Sequence, residues 1–400
     1  MLVLEAGSRY DPRGLAGLAS LVGRLLLEGS EGMTAAELAD AVDSTGSSLD
    51  VVTGYETTAL MSTGLRERMD ESLDILSKLV SLPVFGRAAL AESKRRQLSE
   101  LTEDEDSAFS VCRREFMATV YRGYPREFPV DGTSESLASI EVGHVSGFHD
   151  RMYCPRRATL AAVGDLAPEE LFERAERSFE GWSHACEIDA LPPVPQRQQE
   201  KRFRGIRMES SQVHLSLGNL SLSRRDPLYY AAAVLDVILG DSAGFGSRLS
   251  SALRERAGLA YVVESDASSS AGMEPGVFWT YAATSPDNVM LLLGGILEEL
   301  GRMKYEPPTE DEIESAAAYL KGRRLVDLET AEARAGNLIH AERHGLGLDY
   351  EERYPEIISS VTRDDVAAAA QRVIDLDSYS LVAVGPLDRC PELLELMNGR

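Results

Sequence analysis

The sequence predicts an α+β protein of two homologous domains, each a mixed, mostly antiparallel sheet with helices packed on it. Three observations carry this. SIEVGHVSGFHDRMYCPRRATLAAVGDL (139–166) is echoed by SVTRDDVAAAAQRVIDLDSYSLVAVGPL (360–387) at a constant offset of 221, which aligns Val145 with Val366, Leu160 with Leu381 and Gly164 with Gly385. Each copy reads as a short helix and then a strand ending at a Gly turn. Upstream of each copy lies a looser repeat of strand, helix, Pro-containing link and charged helix. Finally, IDALPPVPQRQQEKR (188–202) has the Pro, Gln and charge content of a linker. The division is 1–187, a linker over 188–202, and 203–400. A repeat of about 190 residues is long enough to bury its own core.

The elements follow in order. LVLEAGSR opens the chain as a strand without a turn or partner before it, so the true start is expected upstream. GLASLVGRLLLEGSEG (17–32) is a helix whose apolar residues Leu18, Leu21, Val22, Leu25 and Leu26 recur at helical spacing. Ser20, Gly23 and Arg24 share a different face, and a Gly and a charge there each cost helix stability. ALMSTGL (59–65) is a strand, followed by helices over 69–80 and 88–101. In the second half FWTYAAT (278–284) is a strand, followed by helices over 287–300 and 309–325.

Composition narrows the function. The 400 residues carry a net charge of −24, which argues against a nucleic-acid partner, since phosphates demand a basic face. Such a charge suits solubility and, secondarily, basic partners. No apolar run approaches the roughly 20 residues that span a bilayer, and the first residues lack the features of a secretory signal. As written, the chain is expected in the cytoplasm, and an upstream start would reopen export to the periplasm. Cys112, Cys154, Cys186 and Cys390 are far apart and form no CxxC pair, so neither a disulfide framework nor a zinc knuckle is expected.

The order of AGSRYDPRGLAGLA, SLPVF, FHDRMYCPRRATLAAVGDL, ILGDSAGFGSRLSSALRERAGLAYVVES and VTRDDVAAAAQRV resembles the pitrilysin/insulinase-type zinc metallopeptidases. The match is to their two-domain, processing-peptidase-like branch and runs over nearly the whole chain. Relatives of this kind usually carry another strand or two before the point where this chain begins. Active members place H-x-x-E-H on the first helix. Two His at i and i+4 bind zinc there, and the adjacent Glu activates the zinc-bound water. A further Glu about 76 residues on completes the metal site. By this resemblance the five motif positions are Ser20, Leu21, Val22, Gly23 and Arg24, and Glu100 stands where the last ligand would be. Ser is a poor zinc ligand, Gly has no side chain, and Arg repels a dication. The resemblance therefore implies no metal, no cofactor and no peptidase activity in this chain alone. It also raises the expectation that the Arg24 guanidinium occupies the place of the dication and neutralises Glu100.

Arg254 and Tyr261 match an Arg and a Tyr of the family's substrate-binding segment. There the two side chains reach the scissile peptide from the half opposite the zinc. A guanidinium and a phenol can both donate hydrogen bonds to a developing oxyanion. The plainer alternative is a surface Arg and a packed Tyr at a helix-to-strand turn. GDSAGFG, with Gly240, Gly244 and Gly246, lacks the Lys-Ser/Thr ending of a phosphate loop, which leaves a turn that lets a peptide pass or a plain helix cap. HAERH puts His340 and His344 at ligand spacing, but Glu342 between them points away, so a solvated helix face is expected. The other four histidines, His144, His149, His184 and His214, read as ordinary. ELTEDED (100–106) lacks the spacing of a calcium loop and reads as a charged helix end.

The resemblance implies the catalytically inactive subunit of a heterodimeric zinc peptidase. A homologous active partner would supply zinc and base, and the substrate would be a peptide or unfolded polypeptide. Two alternatives stand beside it: a non-enzymatic scaffold like the core proteins of the cytochrome bc1 complex, and a subunit of a protease that matures a ribosomally made peptide precursor.

Overall fold

The computed structural model describes residues 1–186, 195–241 and 246–398. Residues 188–194 of the expected linker, and Gly244, lie outside the described residues. The strands, in chain order, are β1 (Leu2–Leu4), β2 (Gly29–Ser30), β3 (Met33–Thr34), β4 (Ser48–Thr53), β5 (Thr58–Thr63), β6 (Ala158–Leu160), β7 (Arg202–Arg207), β8 (Val213–Leu220), β9 (Val262–Asp266), β10 (Val277–Thr284) and β11 (Ser380–Gly385).

The first unit is built on a sheet of order β4-β5-β1-β6, antiparallel throughout. Alternation places Leu2, Leu4 and Leu60 on the face that meets the Leu18–Leu26 helix. Leu18, Leu21, Leu25 and Leu26 of that helix are buried to within 1%, as their three- and four-residue spacing requires. Leu79, Val145 and Phe148 close the core around them. The helix is entered through Gly17, whose φ of +93° is a left-handed conformation that suits glycine. Its first free N–H groups are taken by the Asp11 carboxylate, which accepts from Gly17 (2.9 Å) and Ala19 (2.8 Å). Burial raises the Asp11 carboxyl to about 7, against the opposing pull of these backbone bonds and of Arg151.

The second unit has the sheet order β7-β11-β8-β10-β9, in which only β11 and β7 run parallel. Leu215, Leu217, Phe278 and Leu381 face the Val289–Tyr305 and Arg363–Val373 helices across its core. The repeated pattern is visible here: Val145 and Val366 are both fully buried, each on the helix before the sheet strand of its copy.

Unlike the continuous division at 1–187 and 203–400, each packed unit holds a segment from the other half of the chain. Asp104–Glu127 belongs to the second unit and Asp327–Gly345 to the first. The Ala108–Val120 helix lies on the second sheet, where the buried Cys112 Sγ donates to Ser216 Oγ (3.3 Å) and Phe116 is 1% exposed. The Ala331–His344 helix is held in the first unit by Arg343, which bonds Glu5 (2.6 Å) and Glu56 (2.9 Å). Glu56 also pairs with the buried Arg9 at 3.3 Å. Apolar and charge complementarity across long sequence distances decides these placements, and neither leaves a periodic trace. A second correction concerns the cysteines: Cys154 and Cys186 form a disulfide, while Cys112 and Cys390 are free and buried.

Candidate functional site

On the Leu18–Leu26 helix, Ser20 and Arg24 are one turn apart and point the same way. The Arg24 guanidinium meets the Glu100 carboxylate through two hydrogen bonds, Nη1–Oε1 at 3.0 Å and Nη2–Oε2 at 2.5 Å. Its Nη2 also lies 3.5 Å from Asp131 Oδ1, and Ser20 Oγ donates to that same oxygen at 2.5 Å. Gln97 holds the loop in place by donating to the Asp131 carbonyl (2.7 Å). The hydrogen bonds and charge of Arg24 lower the Glu100 carboxyl below its ordinary value, and Glu100 raises Arg24. The fork of a guanidinium matches a carboxylate in this two-bond geometry.

Gly23 is fixed by its surroundings. A Cβ there would stand 2.4 Å from Thr53 Oγ1 on β4. Thr53 in turn bonds the Thr58 hydroxyl (3.0 Å), which donates to the carbonyl of Ala6 (3.0 Å). The space beside Gly23 is filled by Thr53 of the sheet.

These residues do not fit a metal ion. Both carboxylates already serve a guanidinium, and the Ser20 hydroxyl serves Asp131. Among the described residues no group of three His, Cys, Asp or Glu side chains could hold a cation. The His340 and His344 rings lie 4.5 Å apart on their helix, tilted by 53°; His344 is buried and Glu342 is exposed. The other histidines have ordinary partners. His144 accepts from Glu141 N, His149 and His184 bond the Val80 and Asp150 carbonyls, and His214 bonds the Tyr281 hydroxyl. The 100–106 stretch lies largely on the charged end of the Arg87–Glu105 helix.

In the second unit Arg254 and Tyr261 line one cleft of about 700 Å³. Arg254 is exposed on the π-helical turn Ser250–Arg256, and Tyr261 is 65% exposed just before β9. Among the described residues Arg254 has no ion pair. Among the described residues β9 is the last strand of its sheet and pairs on one side only, with β10. Arg113, from the Ala108–Val120 helix, lines the same cleft with its guanidinium 5.9 Å from the centre of the Trp279 ring. Gly240 lets its turn approach β9, because a Cβ there would stand 2.5 Å from Ser265 Oγ. This close packing explains the glycine without a phosphate.

Asp131, Thr53 and Arg113 were missed by sequence reasoning. Each reaches its site from a distant segment, and none carries a motif.

Two helix-backed, largely antiparallel sheets, the second with a cleft of about 700 Å³ beside its last strand, define a two-unit α+β chain. Family profiles agree: that of "Insulinase (Peptidase family M16)" matches residues 1–134, and that of "Peptidase M16 inactive domain" matches 139–320. The chain belongs to peptidase family M16. It is similar to an uncharacterized zinc protease of Rickettsia felis (26% identical, over 97% of this chain and 92% of that one). It is also similar to one of Streptomyces coelicolor (27%, over 96% and 83%). In fold it resembles a peptidase M16 inactive domain from Pseudomonas fluorescens, with a TM-score of 0.88 and 24% identity over 96% of this chain and 91% of that one. A protease from Helicobacter pylori gives a TM-score of 0.87 and 19% identity, over 96% and 93%. Among the described residues no helix is long and apolar enough to cross a membrane.

Proposed function

We propose that this chain is the non-catalytic member of a two-chain zinc peptidase, holding a peptide for a homologous partner that carries H-x-x-E-H. One contrast carries the reading: Arg24 and Glu100 neutralise each other at the motif helix, while Arg254 and Tyr261 stand exposed in one cleft. The unpaired edge of β9 offers a row of backbone donors and acceptors to an extended peptide. Arg254 and Tyr261 donate hydrogen bonds to the carbonyl oxygen that gains charge during attack in the partner's site, and so stabilise it. The partner supplies zinc and the base. The substrate is a peptide or an unfolded segment.

Co-expression with H-x-x-E-H homologues, followed by peptidase assays of each chain and of the pair, tests this. Activity is expected only in the pair, and Arg254→Ala is expected to lower it without dissociating the subunits. An assembled pair that is inactive, or fully active with Arg254→Ala, would assign the chain to a scaffold role. Activity confined to a ribosomally made precursor would mark a maturation protease.

A further inference from the structure

The segment after the Pro168–Phe179 helix packs a Trp against that helix and is joined at two further points to the end of the Val142–Met152 helix. Trp182 is 7% exposed, with its ring 5.9 Å from Phe179. His184 Nε2 donates to the Asp150 carbonyl at 2.5 Å. Cys186 is bonded to Cys154 across 32 residues, with a Cα–Cα separation of 5.9 Å that lies in the ordinary disulfide range. Among the described residues the backbone bonds of 181–186 outside helices and strands are two short turns, Trp182 N to Phe179 O and Ser183 N to Gly181 O. The two sulfurs differ in access: Cys154 is fully buried and Cys186 half-buried.

We propose that Cys154 and Cys186 form a reversible thiol–disulfide site, oxidised by a small disulfide such as glutathione disulfide, that fastens residues 181–186 to the first unit. The half-buried Cys186 reacts first. Its thiolate attacks one sulfur of glutathione disulfide, that S–S bond breaks, and one glutathione thiolate leaves. The Cys154 thiolate then attacks the Cys186 sulfur of the mixed disulfide and expels the second glutathione. The protein dithiol loses two electrons and two protons, and one glutathione disulfide becomes two glutathione thiols. Cys112 and Cys390 are buried, with thiols raised by burial, that of Cys112 to about 12, and neither is joined to a half-buried sulfur as Cys154 is to Cys186.

The test uses the full chain in glutathione buffers, with acid quenching, alkylation in denaturant and mass spectrometry. The wild type is expected to lose two alkylatable thiols together and to yield one linked 154–186 peptide. Cys154→Ala is expected to stop at a glutathione adduct on Cys186, and Cys186→Ala to take up none. Retention of both thiols in fully oxidising buffer overturns the proposal, as does a Cys154→Ala chain without adduct. Should Cys154→Ala fail to fold, the linked peptide of the wild type decides alone. Limited proteolysis checks the fastening: cleavage within 181–186 is expected in the reduced chain and lost in the oxidised one. Equal cleavage in both overturns that role.

Discussion

The motif helix of the first unit and the cleft of the second are opposites in charge economy. Around the helix every functional group is answered: Arg24 by Glu100 and Asp131, Ser20 by Asp131, and the space beside Gly23 by Thr53. In the cleft, Arg254 and Tyr261 are exposed and Arg254 has no carboxylate partner among the described residues. Side chains that satisfy one another have little left for a ligand, whereas exposed donors without a partner remain available, because donors already engaged cannot favour a ligand.

Four experiments would break or sharpen this contrast. The largest effect is expected at the cleft. Arg254→Ala should lower turnover of the assembled pair by on the order of 10²-fold while leaving the melting temperature of the isolated chain unchanged. A drop in stability instead would make Arg254 structural.

The next concerns Asp11 beneath the motif helix. Its folded carboxyl titrates at about 7, above its unfolded value of 3.8. Between those values the folded chain binds more protons, so this group's contribution is fully present below pH 4 and lost as pH rises through about 7. Denaturant melts should therefore show wild type losing stability relative to Asp11→Asn between about pH 4 and about pH 7, on top of a pH-independent cost to the variant, whose amide nitrogen cannot accept one of the two backbone bonds. A constant difference would refute the assignment.

Third, Gly23→Ala should destabilise by about 1–3 kcal/mol through contact with Thr53. A Gly→Ala change at an open helix position would instead stabilise by about 1 kcal/mol. The sign is therefore the test, and Thr53→Ala in the same chain should recover part of the loss.

The smallest effect belongs to Arg24→Ala. Its side chain is 33% exposed and that of Glu100 is 52%, so solvent screens the pair and the loss should be about 0–1 kcal/mol. Because the pair lowers the folded Glu100 carboxyl, its contribution is present above the ordinary value of 4.5 and is lost as pH falls through the folded one. A loss larger than that of Gly23→Ala would mean that the ion pair, rather than the packing, holds the site together.

Much of this was legible in the sequence. The 139–166 and 360–387 copies gave the repeated helix-then-strand units, and periodicity placed helices such as Met69–Ser81 and Arg87–Glu105 within a few residues. The resemblance put Arg24 and Glu100 in reach of each other, and they meet. What stayed hidden depends on long-range contacts. Asp131 is 111 residues from Ser20, and Cys154 is 32 from Cys186 with no pairing motif. The Ala108–Val120 helix carries no mark that it serves the second sheet. Local propensity speaks for an element's existence; only side-chain complementarity decides where it docks.

The exchange of helices also sets a timetable for synthesis. Glu5 and Glu56 take their bonds from Arg343, which lies 338 residues after Glu5. A ribosome releases the N-terminal sheet long before it makes that arginine. Until then the buried Arg9, already made, is the guanidinium that faces Glu56. The first unit can begin to collapse early, but this ion network waits until nearly the whole chain has emerged.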